Sequence, residues 1–166
     1  MKILLVGKTG VFDTLAVASG CLNQMDISNS PYFADLRLEN SKKLVKIGSD
    51  KRGNEIFVVG FRAPEILPTI QQQLESLSKI NEKDRLQVIP ISVEGENITW
   101  LLSKLANLPL IGTLFLNWAK NRTLNRSPYL IEFGKNLQME KNIDARDKAE
   151  SMFAAKPLRE GKQTLK

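Results

Sequence analysis

Histidine is absent from this chain, and cysteine occurs once, as Cys21. The first absence removes the side chain that most readily acts as a general base near neutral pH, and with it the commonest nitrogen ligand of zinc. Histidine-based triads and His-containing metal sites are excluded. A single thiol excludes an intrachain disulfide, a CxxC redox pair and a thiolate cluster, which points to a reducing compartment. Cys21 falls on the apolar side of the first predicted helix beside Val17 and Ala18, where it reads as a small hydrophobe. Long apolar runs are scarce as well. The run Ile3 to Val6 behind Lys2 is too short for the core of a secretion signal, so the expected location is the cytoplasm.

An excess of one charge is also largely missing from the body of the chain. The net charge is +6, but residues 141–166 hold seven basic and four acidic side chains, leaving +3 there and +3 for residues 1–140. That footprint is weak and argues against nucleic acid as a partner. What is present is 42% hydrophobic content in 166 residues, enough to bury one ordinary core. The expected organisation is a single α/β domain over residues 1–140, followed by a charged, flexible C-terminal tail over 141–166.

Residues 2 to 7 form an apolar run ending at Gly7, the pattern of a strand buried on both faces of a parallel sheet. Asp13 or Thr14 can cap the next segment, in which Leu15, Ala18, Cys21 and Leu22 recur at helical spacing. Residues 26 to 43 read as irregular, with a turn at Asn29, Ser30 and Pro31 before Tyr32 and Phe33 anchor the loop. The runs Leu44 to Ser49 and Glu55 to Gly60 flank a polar turn and predict a β-hairpin. Ile66, Leu67, Ile70, Leu74 and Leu77 predict an amphipathic helix over 63–80, and Leu86 to Val93 predicts a further strand. Two short helices broken near Pro109 are expected between Ile98 and Trp118, then a short strand over 127–134. After about residue 141 the apolar periodicity fades towards frayed helix or disorder. The fold class is therefore α/β: three layers around a mostly parallel sheet, with a P-loop-like first strand, loop and helix and an inserted β-hairpin.

The first loop is where chemistry is most readily sought. A P-loop uses glycines to expose backbone N–H groups to phosphate, a lysine to neutralise the terminal phosphates and a hydroxyl for magnesium. On that template Gly7 is the first glycine and Thr14 the hydroxyl, but Phe12 and Asp13 stand at the second glycine and the lysine. KTGVFDT also resembles the deviant loop of partition-type ATPases, aligning Lys8, Gly10 and Thr14. Asp13 would set a carboxylate where an anion should bind, which disfavours ATP hydrolysis by the usual route. Gly7, Lys8, Thr9, Gly10, Asp13 and Thr14 remain as a candidate anion site, with a plain connecting loop as the competing reading.

A second candidate is the segment Ile98 to Trp118, with Trp100 and Trp118 near its ends and Lys120, Arg122 and Arg126 downstream. These residues could meet a membrane surface or a protein partner. Ile98, Leu101, Leu102, Leu105 and Leu108 form a one-sided stripe, the pattern of a helix that faces the core, while Lys104 and Pro109 count against a span. Arg122 and Arg126, one helical turn apart, could grip phosphate or lipid headgroups. Asp50, Lys51, Arg52, Asn54 and Glu55 around the hairpin turn read as a solvated turn before they read as a ligand cluster.

Four stretches together carry a family likeness: the MKILLVG strand with its loop, SPYF at 30–33, GSDKRGNEIFVVG at 48–60 and LLSKLANLPLIGT at 101–113. Across residues 1–140 the chain resembles the bacterial domain-of-unknown-function family numbered three-one-eight-nine, seen mainly in spore-forming Gram-positive bacteria. The most distinctive part is carried by Gly48, Asp50, Gly53, Asn54, Glu55 and Ile56. Members of that family typically carry a glycine pair, a histidine and hydroxyl residues in the first loop, of which only Gly10 and Thr14 carry over here. The resemblance implies fold and compartment, with no activity attached.

The expected function is a non-catalytic binding or adaptor domain that retains a degenerate P-loop-like anion site. It would act on a protein partner, as a homo-oligomer, through peripheral membrane contact or on a small phosphorylated ligand, without cofactor or metal. The alternative is a phosphoryl-transfer or phosphate-ester enzyme, with Lys8 replacing the lost lysine, Thr14 holding magnesium and Asp13 acting on a substrate hydroxyl.

Overall fold

A computed structural model describes residues 1–62 and 86–154, with residues 139–154 described by their backbone path only. The helix expected over 63–80 lies outside the described residues. The remainder is a mixed α/β fold around an open sheet of four strands.

The apolar run at the amino terminus is β1 (Lys2–Gly7), and it lies inside the sheet. The expected hairpin is β2 (Val45–Ser49) and β3 (Glu55–Gly60), paired antiparallel with a register shift between Lys46 and Gly48. β4 is Leu86–Pro90. The strand order is β2-β3-β1-β4, and β1 runs parallel to both of its neighbours, with Leu5 opposite Val58 on one side and Ile89 on the other. The chain thus reaches β1's two sides in separate excursions. Such a switch of direction leaves a crevice beyond the carboxyl ends of the central strands.

The hairpin turn is built from its own polar groups. The Asp50 carboxylate accepts bonds from the N–H of Arg52, the N–H of Asn54 and the Asn54 amide, each at 2.9 Å, while Gly53 takes a positive φ of 78°. Partial burial pushes the Asp50 carboxyl up, but these donors outweigh it and hold it below its ordinary value.

Helix α1 (Asp13–Cys21) is buried along its whole length. It is sandwiched between the sheet and a long helix, so it has no solvent face and shows little amphipathic pattern. Neither Asp13 nor Thr14 caps it. Phe12 occupies the cap position, and the Thr9 hydroxyl accepts the Asp13 N–H at 3.2 Å. The segment expected to be irregular contains a short helix, α2 (Leu36–Ser41), started by the Asp35 carboxylate, which accepts from the N–H groups of Arg37 and Leu38.

The break near Pro109 separates α3 (Glu96–Leu105) from α4 (Gly112–Ala154). Here the structure corrects one expectation. Residues 127–134 are helical, in the middle of α4, and do not form a strand. Pro128 has no N–H for the carbonyl of Leu124, but the neighbouring Ser127 hydroxyl donates to that carbonyl at 2.8 Å. Leu130 and Ile131 are buried against the core at helical spacing from Gly134. Gly134 is needed for close approach: a Cβ there would strike the carbonyl of Val17, as one on Gly20 would strike that of Ile131. The two helices touch backbone to backbone, and the Cys21 thiol donates to the Gly134 carbonyl at 3.2 Å. The helical backbone passes residue 141 without interruption and reaches Ala154.

The main core joins Ile3, Leu5, Ile56 and Val58 of the sheet to Val17 of α1 and Leu130 of α4. Each fully buried side chain of this size contributes about 2 kcal/mol. A second cluster collects Val11, Phe12, Ala34 and Ala119, with Phe33 set edge-on to Phe12 at 6.2 Å.

Candidate functional site

The loop from Gly7 to Thr14 lies at the carboxyl end of β1, in the crevice between the ends of β3 and β4. Its shape follows from what it packs on. Phe12 is fully buried and wedges the loop into the second cluster, while Gly10 passes so close to the end of β3 that a Cβ on it would lie 2.6 Å from the Gly60 nitrogen. Thr9 and Thr14 are buried, and the Thr14 hydroxyl lies over Gly7 in the space that any side chain there would fill.

The exposed N–H groups that such a loop turns towards an anion do meet one, supplied by the chain itself. One carboxylate oxygen of Glu39, on α2, accepts the N–H of Gly10 at 2.8 Å and that of Val11 at 3.1 Å. Glu39 is buried, and burial pushes its carboxyl above its ordinary value against the pull of these two donors. The glycine at position 60 makes room for it, since a Cβ there would sit 2.7 Å from the second carboxylate oxygen. No spacing pattern marks Glu39 in the sequence, where it reads as one charge in a loop.

The loop's cation is engaged too. The Lys8 ammonium donates to the side-chain oxygen of Asn97 at 2.6 Å and pairs with the buried Glu96 carboxylate at 3.4 Å, both on the first turn of α3. Asp13 is buried and paired with the Arg126 guanidinium at 3.0 Å, and the Thr123 hydroxyl donates to its other oxygen at 3.2 Å. Arg126 also donates to the carbonyl of Glu94. Asp13 is therefore neutralised by α4, and it presents no bare charge to the crevice.

Arg122 and Arg126 were expected beside the tryptophans on an outer surface. They instead turn inward to the start of α3, where both guanidinium groups flank Gly95. Arg122 makes one long bond, 3.5 Å to the Gly95 carbonyl, and its Nε is buried with no hydrogen-bond partner. It has no carboxylate partner among the described residues. The loop and the basic pair, distant in sequence, thus form a single polar cluster. Among the described residues no three carboxylates or thiols gather to hold a metal ion.

Comparison with known families, curated proteins and solved structures finds no match.

Trp100 and Trp118 lie apart from this cluster. The Arg62 guanidinium is 5.8 Å from the centre of the Trp100 ring, and Trp118, half exposed, meets Phe115 edge-on at 5.7 Å. Lys120 is partly exposed one helical turn short of Leu124. The stripe expected to face the core does not do so. Ile98, Leu101 and Leu108 are exposed, and α3 buries Glu96, Thr99 and Ser103. The cause lies in the crevice, because Glu96 must face Lys8, and residues three and seven positions further on share its side of the helix. Leu102 alone of the stripe packs on the second cluster. No helix among the described residues is long and apolar enough to cross a membrane.

Proposed function

We propose that this chain is a non-catalytic binding or adaptor protein whose first loop is a degenerate P-loop-like element held closed by its own carboxylate. The observation that carries this reading is the Glu39 carboxylate on the Gly10 and Val11 N–H groups. A phosphate entering the loop must displace a bound anion, then compete with Glu96 and Asp13 for Lys8 and Arg126. Phosphoryl transfer would need Lys8, Asp13 and Thr14 at liberty, whereas Lys8 and Asp13 are paired within the fold and Thr14 is buried. The three-layer architecture, the cytoplasmic location and the kinship with the domain-of-unknown-function family belong to the same proposal.

Calorimetric titration with ATP and magnesium tests it. Silence at millimolar nucleotide is expected. Binding that Lys8→Ala and Thr14→Ala abolish would overturn the proposal in favour of the enzyme. One observation favours a second reading, a small phosphorylated ligand held without turnover: the buried, unpartnered Nε of Arg122. Phosphate binding lost in Arg122→Met but kept in Lys8→Ala would support that ligand.

A further inference from the structure

The α3–α4 hairpin is amphipathic in an inverted sense. Towards the domain it buries small and polar residues: Glu96, Thr99, Ser103 and Ala106 from α3 and its end, and Ala119 and Thr123 from α4. Leu102 and Leu116 pack on the second cluster, but many of its larger apolar side chains are left outside. Ile98 and Leu101 are exposed on α3, Leu114 and Trp118 on α4, and Leu108 and Ile111 in the connection between them, where Leu110 stands fully exposed at the tip. Leu110 also holds a positive φ of 69°, a left-handed conformation that a leucine adopts only at a cost. A strained, wholly solvated leucine beside Pro109 gains nothing from folding, so its use must come from contact with something else.

Charge narrows the partner. From Asn97 to Ile131 the chain holds no acidic residue, while it carries Lys104, Lys120, Arg122 and Arg126. Arg122 and Arg126 turn inward, leaving exposed Lys104 and partly exposed Lys120 on the hairpin itself, with exposed Arg62 stacked on Trp100. The neighbouring acid Glu96 is buried against Lys8. An apolar tip, a half-exposed tryptophan behind it and flanking cations in a stretch free of acids, with only the buried Glu39 carboxylate acting on Lys104, match the interfacial layer of a bilayer with anionic headgroups. We infer that the outer face of the α3–α4 hairpin docks on an anionic lipid surface, with Leu110 and Ile111 entering the acyl boundary and Lys104 and Lys120 meeting the headgroups. This rests on the reading of the chain as a binding protein but fails separately from it, since nucleotide turnover would overturn that reading and leave vesicle binding untouched.

Flotation of the full chain with vesicles of phosphatidylcholine, alone or mixed with phosphatidylglycerol, tests the inference. The protein should float with the mixed vesicles and lose at least about tenfold in bound fraction without the anionic lipid, or when salt is raised. Leu110→Asp combined with Ile111→Asp should abolish flotation while the melting temperature holds, because both side chains are exposed. Leu110→Gly supplies a variant that cannot fail by misfolding: it relieves the positive φ, so it should raise the melting temperature while weakening flotation. Absence of flotation, or flotation indifferent to lipid charge, overturns the inference. So does a dimer in sedimentation equilibrium that the Asp pair dissolves, which would make a second copy of the chain the occupant. A large fall in melting temperature in the Asp pair also overturns it, because the face would then be covered by the chain's own residues.

Discussion

Replacing Glu39 by alanine removes the acceptor of two buried backbone donors at once, the N–H groups of Gly10 and Val11. A buried donor left unmatched costs about 1–3 kcal/mol, so the pair should cost roughly 2–6 kcal/mol. Part of this is returned, because the carboxylate itself is expensive to hold out of water, as its upward shift records. A net loss of about 3 kcal/mol is expected, or roughly 10 °C in melting temperature for a chain of this size. Glu39→Gln keeps an oxygen in place and should cost less than about 1 kcal/mol. Urea denaturation of the three proteins measures both. Sodium phosphate should raise the stability of Glu39→Ala by about 1.4 kcal/mol at ten times its dissociation constant and leave the parent unmoved.

The pH dependence separates this account from a generic packing defect. Because Glu39 is raised above its ordinary 4.5, the folded chain holds a proton that the unfolded chain has released between those two values. Stability therefore falls as pH rises through the folded value, and it recovers on acidification towards 4.5. The parent should gain stability relative to Glu39→Gln as pH is lowered over that window. Equal stability of the parent and Glu39→Ala, or equal damage from alanine and glutamine, would refute the assignment of Glu39 as the loop's resident anion.

Other outcomes follow from the same contacts. Arg126→Met should cost about 3–5 kcal/mol by leaving Asp13 buried and unpaired, and a cycle with Asp13→Asn should show strong coupling, whereas additivity would mean that the pair is not made. Gly134→Ala should destabilise by several kcal/mol, because its Cβ meets the Val17 carbonyl, and unchanged urea denaturation would mean that α1 and α4 do not cross there. Asp50→Ala should cost about 1 kcal/mol near neutral pH through the lost turn bonds. Since Asp50 is held below its ordinary 3.8, its contribution is present above that value and fades as pH falls through the folded one. The gap between parent and variant should then close in acid, and a constant gap would assign it to something other than ionisation.

Much of the architecture was legible because it rests on local periodicity. The apolar run of β1, the hairpin around Asp50 and Gly53, and the break at Pro109 each declare themselves within a few residues. Residues 127–134 misled for a local reason too. Ser-Pro followed by Tyr, Leu, Ile and Phe has the look of a strand, and only the Ser127 bond to the Leu124 carbonyl shows how a helix passes through the proline. The apolar stripe of α3 misled for a non-local one, since its orientation is decided by an ion pair with Lys8, 88 positions before Glu96.

The candidate site divides along the same line. Taken alone, the chain determines that the first loop lacks the P-loop lysine, that no histidine chemistry is available, and that residues 97–131 carry bases without acids. These are matters of composition and order, and folding cannot change them. Which charges meet is another matter. That Glu39 fills the loop, that α4 returns Arg126 to Asp13, and that α3 turns its leucines outward depend on residues tens of positions apart being brought within 3 to 4 Å. At that distance, with the carboxylates of Glu39, Asp13 and Glu96 buried, one buried charge costs more than several exposed leucines, so polar pairing decides which face of the helix is hidden.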